Sequence, residues 1–283
     1  MAALFTFLLI FLQSLPDGPL IVESFERLFR HVGAAAITAD ERLLVTDTEL
    51  HTVSVIGPDN TVLETIGTKG WGNDAFDWPV DISSTFLLEV LVTDRMNERV
   101  QHFDRSLVYV QTVDRTSLGS SPPLHPVASV QSRQGDLYIL DEEQNAVLVT
   151  GQRGTVRGTF TAGGRTFTAP KDIVVTMDDR LFVLDGEGIH QFDLFGNYAG
   201  LLRITGNDPW ESISESAGKL VLVSPSMILV KDLESGAEQR IKPSDLIGTT
   251  VTEPFRTALL TRQGIIVLTP TTLYRCSFPG ITR

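Results

Sequence analysis

The chain has 283 residues, 42% of them hydrophobic and 20% charged, and its formal net charge is −12 at pH 7. It is long enough to bury a large core as one big all-β domain or as two ordinary domains, and its proline and glycine contents do not indicate disorder. The acidic charge argues against nucleic acid or an anionic membrane as the main partner, and the single cysteine excludes an internal disulfide framework.

The first predicted element is an apolar segment at the N-terminus. Residues 2–12 are apolar apart from Thr6, and Pro16 ends the stretch. This length suits the hydrophobic region of a signal peptide and is too short to span a bilayer comfortably. Since the segment has no Lys or Arg and no clear cleavage site, a retained tail that tethers the protein to a membrane or a partner is the alternative. We predict that residues 1–18 are an export signal, which implies a periplasmic, cell-surface or secreted protein.

From residue 32 onward the chain repeats a unit that opens with proline and closes with a small oxygen-bearing side chain 15 residues later. The pairs are Pro79 with Asp94, Pro126 with Asp141, Pro170 with Asp185, Pro209 with Ser224, and Pro254 with Thr269. Stepping back 15 residues from Asp47 reaches Val32, which starts a further unit without the proline. Successive closing residues are 39 to 47 residues apart, which is the length of one propeller blade.

Each unit is predicted to form four short antiparallel strands. The constant spacing from proline to closing residue indicates a rigid hairpin of two strands, and insertions fall in the loops between units. Proline is tolerated where it opens a strand and need not donate to the ladder. Two further strands follow, for example one that begins at Val53 and one over residues 62–66. The sequence therefore predicts an all-β, six-bladed β-propeller. Its blades lie near residues 32–72, 76–116, 124–164, 168–204, 208–243 and 252–279.

Residues 94–104, Asp-Arg-Met-Asn-Glu-Arg-Val-Gln-His-Phe-Asp, resemble the core of an NHL repeat, in which an Asp, an Asn, an Arg-Val pair and an aromatic recur at these offsets. The units that follow Asp47 and Asp141 match more loosely. Ser224 and Thr269 stand where the family has Asp, so the last two units depart most. The resemblance covers about residues 30 to 278 and implies an NHL-type propeller.

The two ends of the repeat predict how the ring closes. The sixth unit has only three strands, over residues 257–261, 265–268 and 273–278. Residues 19–30 precede the first unit and belong to no blade of their own. We expect this segment to supply the fourth strand of the last blade, which covers an otherwise open sheet edge. Residues 19–283 then form a single propeller domain.

The repeat also defines equivalent positions at the mouth of the central channel. One set lies immediately before the proline and the other two residues after it, and we expect both sets to face one rim. The charged or aromatic members are the candidate binding residues: His31, Trp78, Asp81, His125, Asp172, Asp208, Glu211, Glu253 and Arg256. Trp71 and Trp210 are further aromatic candidates, either as binding anchors or in packing between blades.

These side chains have two interpretations. His and carboxylate groups suit Zn²⁺, and an all-oxygen cluster suits Ca²⁺, so a metal at the channel mouth is one. The other is that the polar groups line a wet channel mouth and satisfy each other, with no cofactor, and this is the prediction. The propeller lactonases and the amidating lyase, which the NHL family resembles in fold, hold metals at such a place. The Glu, Asn and Asp ligands of the lactonases have no counterpart here, because no Asn occupies either set.

Three classes of function remain. The resemblance favours an exported, non-enzymatic interaction or scaffold module that binds a protein, peptide or glycan at one rim, and the sequence contains no G-x-S-x-G, phosphate-loop or H-E-x-x-H motif. The alternative is a metal-dependent hydrolase or lyase at the channel mouth, similar to the lactonases and the amidating lyase. RNA binding is the third class, and the acidic charge and the signal-like N-terminus argue against it.

Overall fold

A computed structural model describes residues 18–84, 89–119, 124–151 and 155–278. Within these ranges the chain forms six sheets, five antiparallel sheets of four strands and one of five strands that contains a single parallel pair. The predicted six-bladed β-propeller with four-stranded blades is confirmed. Residues 1–17, which make up most of the predicted export segment, lie outside the described residues. No helix in the described part of the chain has the length and apolarity needed to cross a membrane.

The strands are numbered in chain order. β1 spans Leu20–Arg27. Blade 1 contains β2 (Val32–Ile37), β3 (Leu43–Asp47), β4 (Thr52–Ile56) and β5 (Val62–Ile66). Blade 2 contains β6 (Pro79–Ser84), β7 (Val90–Asp94), β8 (Arg99–Phe103) and β9 (Tyr109–Asp114). Blade 3 contains β10 (Pro126–Gln131), β11 (Leu137–Asp141), β12 (Ala146–Thr150) and β13 (Val156–Phe160).

The remaining strands complete the ring. Blade 4 contains β14 (Asp172–Val175), β15 (Arg180–Asp185), β16 (Gly188–Asp193) and β17 (Tyr198–Leu201). Blade 5 contains β18 (Ser212–Ser216), β19 (Lys219–Ser224), β20 (Met227–Asp232) and β21 (Glu238–Ile241). Blade 6 contains β22 (Leu246–Ile247), β23 (Thr257–Leu260), β24 (Gly264–Leu268) and β25 (Thr272–Ser277), together with β1. The second strand of each blade is buried along almost its whole length, which explains its continuous apolar run.

The 15-residue spacing reflects the open end of the first hairpin in each blade. Pro79 lies opposite Asp94 in the register of β6 and β7, and Pro126 lies opposite Asp141 in that of β10 and β11. The closing carboxylate then accepts the backbone N–H that precedes the first strand. Asp94 Oδ1 accepts from the amide of Asp77 at 2.7 Å, and Asp141 Oδ2 accepts from His125 at 2.8 Å. The repeated aspartate therefore ties the entry of each of these blades to its second strand.

Blade 6 makes the same connection with the partners exchanged. The closing residue is Thr269, and the carboxylate comes from Glu253 on the entering loop. Glu253 accepts from the hydroxyl of Thr269 and from the hydroxyl of Thr271 at 2.8 Å. A carboxylate thus bridges the same two segments although the closing position has lost its Asp.

The N-terminal strand completes the last blade. β1 pairs antiparallel with β25, from Ile21 opposite Ser277 to Arg27 opposite Thr272, and so takes the fourth place in blade 6. The predicted ring closure is confirmed. β22 adds a fifth strand by pairing in parallel with β1 at Leu20 and Ile21. This two-residue strand is not predicted from the sequence, because so short a segment has no detectable alternation.

Candidate functional site

The first strands of the blades surround a central cavity of about 240 Å³. Two of the candidate residues, Asp81 and Asp172, line it together with a third carboxylate, Glu215, and with uncharged side chains such as Ser83 and Ser212. Gln131 also contributes to the lining. Asp81 comes from blade 2 and Asp172 from blade 4, so the ring brings together two carboxylates that are far apart in the sequence.

Each of these carboxylates is bonded to the backbone of the next blade. Asp81 Oδ2 accepts from the Ser129 amide at 2.8 Å. Asp172 Oδ2 accepts from the Ile213 amide at 2.8 Å, and its Oδ1 accepts from the Ile173 amide at 2.8 Å. Both oxygens of Asp172 are therefore engaged by backbone N–H groups, which makes this side chain a connection between blades 4 and 5.

The protein surroundings disfavour ionisation of this pair. Burial, followed by the charge of Asp81, raises the pKa of Asp172 to about 8. Burial also raises the pKa of Asp81 to about 6, against the hydrogen bonds that it accepts. At neutral pH the pair therefore carries less negative charge than two exposed aspartates would.

Glu211 and Arg256 occupy the equivalent positions of blades 5 and 6. Arg256 Nε donates to the Val32 carbonyl oxygen at 3.1 Å and so joins blade 6 to blade 1. Its Nη1 lies 3.8 Å from Glu211 Oε2, and the Glu211 side chain is exposed. Arg256 also lowers the pKa of Asp172, although burial outweighs this effect.

The residues that precede the prolines do not line the cavity with Asp81 and Asp172. His31 and His125 donate their backbone amides to the closing carboxylates. Asp208 accepts from Arg240 Nη1 at 2.7 Å, on the fourth strand of blade 5. Glu253 bonds to Thr269 and Thr271 as described above, and Trp78 is half exposed.

Of the two sets, only the second therefore contributes to the lining of the central cavity. The two sets are three residues apart, and an odd spacing does not keep the same face of an extended strand. In addition, the residues before Pro79 and Pro126 lie in the loop that precedes the strand. A β-bulge between Pro79 and Asp81 further breaks the regular alternation.

Metal binding at the candidate residues has no matching donor set in the described ranges. No three His, Cys, Asp or Glu side chains there converge closely enough to hold a metal ion. The cavity lining contains three carboxylates, Asp81, Asp172 and Glu215, and each of them already accepts a backbone hydrogen bond. These residues do not fit the site of a metal-dependent hydrolase or lyase.

A second region of interest lies on the face that carries the connections between blades and the turns between second and third strands, which we call the loop face. Arg99 binds the connection from blade 1 to blade 2, residues 67–78, through hydrogen bonds to its backbone. Arg99 donates to the carbonyl oxygens of Trp71 and Gly72 at 3.0 and 2.9 Å, and its Nε donates to Asp94 Oδ2 at 2.8 Å. A buried ion pair therefore supports an exposed loop.

This loop and its neighbours expose four large apolar side chains, which we call the loop-face patch. They are Leu50, Trp71, Trp78 and Met96, exposed by 49%, 71%, 51% and 58%. By contrast, Trp210 is 8% exposed and packs in the core between blades 4 and 5. The tryptophans are candidates from the sequence, but Leu50 and Met96 are not, because the exposure of a single apolar residue in a turn has no sequence signal.

Comparison with known proteins supports the fold alone. No family model matches the chain, and no curated protein sequence matches it. A gluconolactonase from Xanthomonas campestris has 12% identity and a TM-score of 0.69 over 94% of this chain and 96% of its own. Catalytically inactive virginiamycin B lyase from Staphylococcus aureus with quinupristin has 11% identity and a TM-score of 0.64 over 90% and 99%. A chain of the nidogen/laminin complex has 14% identity and a TM-score of 0.60 over 75% and 80%.

Proposed function

We propose that this chain is a non-catalytic, exported recognition propeller that binds a protein or peptide partner on its loop face. The loop-face patch is the observation that carries the proposal. Two tryptophans, a leucine and a methionine stand at the surface on supported turns, and Trp is the residue type most enriched among binding hot spots. Exposed apolar side chains that are grouped on one face of a protein, unlike single scattered ones, are typical of interaction sites.

The neighbours in fold include both enzymes and a member of a protein complex, so the fold does not decide between the two kinds of function. The local chemistry supports recognition. Asp172 has the raised pKa of a general acid, but its two oxygens bond to the backbone amides of Ile173 and Ile213. The bond to Ile213 connects blade 4 to blade 5, which gives Asp172 a structural role. The side chains of the loop-face patch are instead exposed to solvent.

Affinity capture tests the proposal. The full chain is immobilised and exposed to an envelope extract of the source cells, beside a Trp71→Ala/Trp78→Ala variant. We expect recovery of a specific partner to fall at least about tenfold in the double variant, since removing hot-spot aromatics typically has this effect. Phe195→Ala is the matched control, because Phe195 is 92% exposed in a turn at the opposite face. Equal recovery by all three proteins would contradict the proposal.

The enzyme alternative has its own measurement on the same preparation. Metal content and the melting temperature with and without EDTA are determined for the full chain. We expect no stoichiometric metal and no shift on chelation. A bound metal whose removal lowers the melting temperature would favour the hydrolase or lyase alternative instead.

A further inference from the structure

We infer that the loop-face patch recognises a protein segment in which an apolar side chain is flanked by Lys or Arg. This inference rests on the proposed function and specifies the chemistry of the partner. Its basis is the continuity of the patch, its rigidity and the charges around it.

Hydrogen bonds donated by backbone amides connect the loop over residues 67–78 with the two turns that carry Leu50 and Met96. The Trp78 amide donates to His51 Nδ1 at 3.1 Å, in the turn that carries Leu50. The Arg95 amide donates to the Trp78 carbonyl oxygen at 3.3 Å, and the Met96 amide donates to the Asp77 carbonyl oxygen at 3.1 Å. The loop and the two turns that carry the four apolar side chains therefore lie against one another.

Two features show that the patch is held in place before any partner binds. Trp71 and Gly72 are fixed through their carbonyl oxygens by Arg99, whose side chain is 8% exposed. Trp78 has a φ of 63°, a backbone conformation that a large non-glycine residue rarely adopts and that its surroundings must maintain. A surface held in this way loses little conformational entropy on binding.

The charges beside the patch are predominantly negative. The ionisable groups of its loop and turns that carry a fixed sign are Glu49, Asp74, Asp77 and Glu98 against Lys69 and Arg95. Both cations already bind carboxylates: Lys69 Nζ lies 3.7 Å from Asp77 Oδ1, and Arg95 pairs with Glu142. Together with the net charge of −12, this arrangement attracts cationic segments and repels acidic ones.

The apolar side chains of the loop-face patch favour a peptide over a glycan as the partner. Indole faces bind both cations and sugar rings, but Leu50 and Met96 extend the patch with aliphatic surface. Aliphatic side chains bury the apolar groups of a protein segment and offer a sugar no hydrogen bonds. A peptide with an apolar centre and basic flanks matches both the surface and its charge.

Three labelled peptides test the inference on the full chain by fluorescence anisotropy. One has a Leu-Trp-Leu centre between lysines, the second has the same centre between glutamates, and the third has a Ser-Gly-Ser centre between lysines. We expect the first to bind at least about tenfold more tightly than either of the others, with affinity that falls as salt rises. Trp71→Ala/Trp78→Ala should weaken this peptide by a similar factor, whereas Phe195→Ala should not.

A charge-reversed variant separates recognition from folding. Glu49→Lys/Glu98→Lys changes two surface groups and leaves the tryptophans in place, and it should weaken the lysine-flanked peptide at least about fivefold. Equal binding of the glutamate-flanked peptide, or preferential binding of a chito-oligosaccharide probe, would overturn the inference. If none of the peptides binds while the envelope partner is still captured through the tryptophans, the inference fails and the proposed function stands.

Discussion

Two aspartates of blade 4 illustrate how local contacts set the charge of a buried carboxyl. Asp185 closes the first hairpin and accepts from the amides of Thr168, Ala169 and Gly186 at 3.0, 2.6 and 2.7 Å. Burial opposes its ionisation, but these hydrogen bonds outweigh burial and lower the pKa. Asp172 accepts only two amides, faces Asp81 across the cavity, and has a pKa raised to about 8. The same residue type therefore anchors a turn in one place and holds a proton in the other.

The raised pKa of Asp172 predicts a dependence of stability on pH. The pKa is near 4 in the unfolded chain and about 8 in the folded one, so unfolding releases a proton between these values and stability falls as pH rises through this window. We expect Asp172→Asn to lose the part of this slope above about pH 6, while Asp81 still contributes below it, and to exceed the wild type by about 1–3 kcal/mol in free energy of unfolding at pH 8.5.

Denaturant unfolding of both proteins between pH 4.5 and 8.5 provides the measurement. Glu211→Gln, at the equivalent but exposed position of blade 5, controls for the loss of one charge. Parallel pH profiles for the wild type and Asp172→Asn would show that the carboxyl is ionised throughout.

At the scale of elements, the loop over residues 67–78 depends on one buried side chain. Arg99 connects this loop to Asp94 at the end of β7, and both side chains are nearly inaccessible. Removing the cation would leave the Asp94 carboxylate buried without its partner. Losses of this kind are among the largest that a single substitution produces.

Arg99→Met therefore has a definite expected effect. We expect it to lower the free energy of unfolding by about 3–5 kcal/mol and to increase amide exchange in residues 67–78. Arg157→Met is the matched control, because Arg157 forms an ion pair with Asp136 at 2.6 Å but its side chain is 59% exposed. The control should lose less than about 1 kcal/mol. Equal losses in the two variants would mean that burial does not determine how much the Arg99–Asp94 ion pair contributes to the free energy of unfolding.

At the scale of the whole molecule, the first strand closes the ring. Leu20 of β1 is fully buried among core residues of blades 5 and 6, and Phe25 stacks on Tyr274 at 5.9 Å between ring centroids. Asn60 of blade 1 donates to Ser24 at 3.1 Å, so β1 also contacts the first blade. Without β1 the edge of β25 would be exposed to pairing with other chains.

Deleting residues 19–30 should therefore cause aggregation or lower the melting temperature by about 10 °C or more. A chain that begins at residue 18 is the reference.

Leu20→Asp and Ile21→Asp are a matched pair of substitutions in β1, since Leu20 is fully buried and its neighbour is 45% exposed. Of these two substitutions, only Leu20→Asp should lower the melting temperature strongly. An unchanged melting curve for the deletion of residues 19–30 would contradict ring closure by β1.

How much the sequence predicts depends on whether a feature is local. The spacing from Pro79 to Asp94 is set by pairing within one hairpin, so it is visible in the chain and repeats with the blades. The missing fourth strand of blade 6 likewise identified residues 19–30 as its complement. NHL membership and the export signal remain predictions.

The sites depended on tertiary structure, because they combine residues from different blades. Whether Asp81 and Asp172 meet across a cavity depends on the curvature of the whole ring, and the spacing within a blade carries no information about it. Trp78 and Trp210 both adjoin a repeat proline, yet one is half exposed and the other buried, since loop length and the support beneath each loop differ. The sequence by itself determined the repeated hairpin and the closure, through short-range hydrogen-bond register. The ring alone decided which side chains share a cavity and which reach the surface.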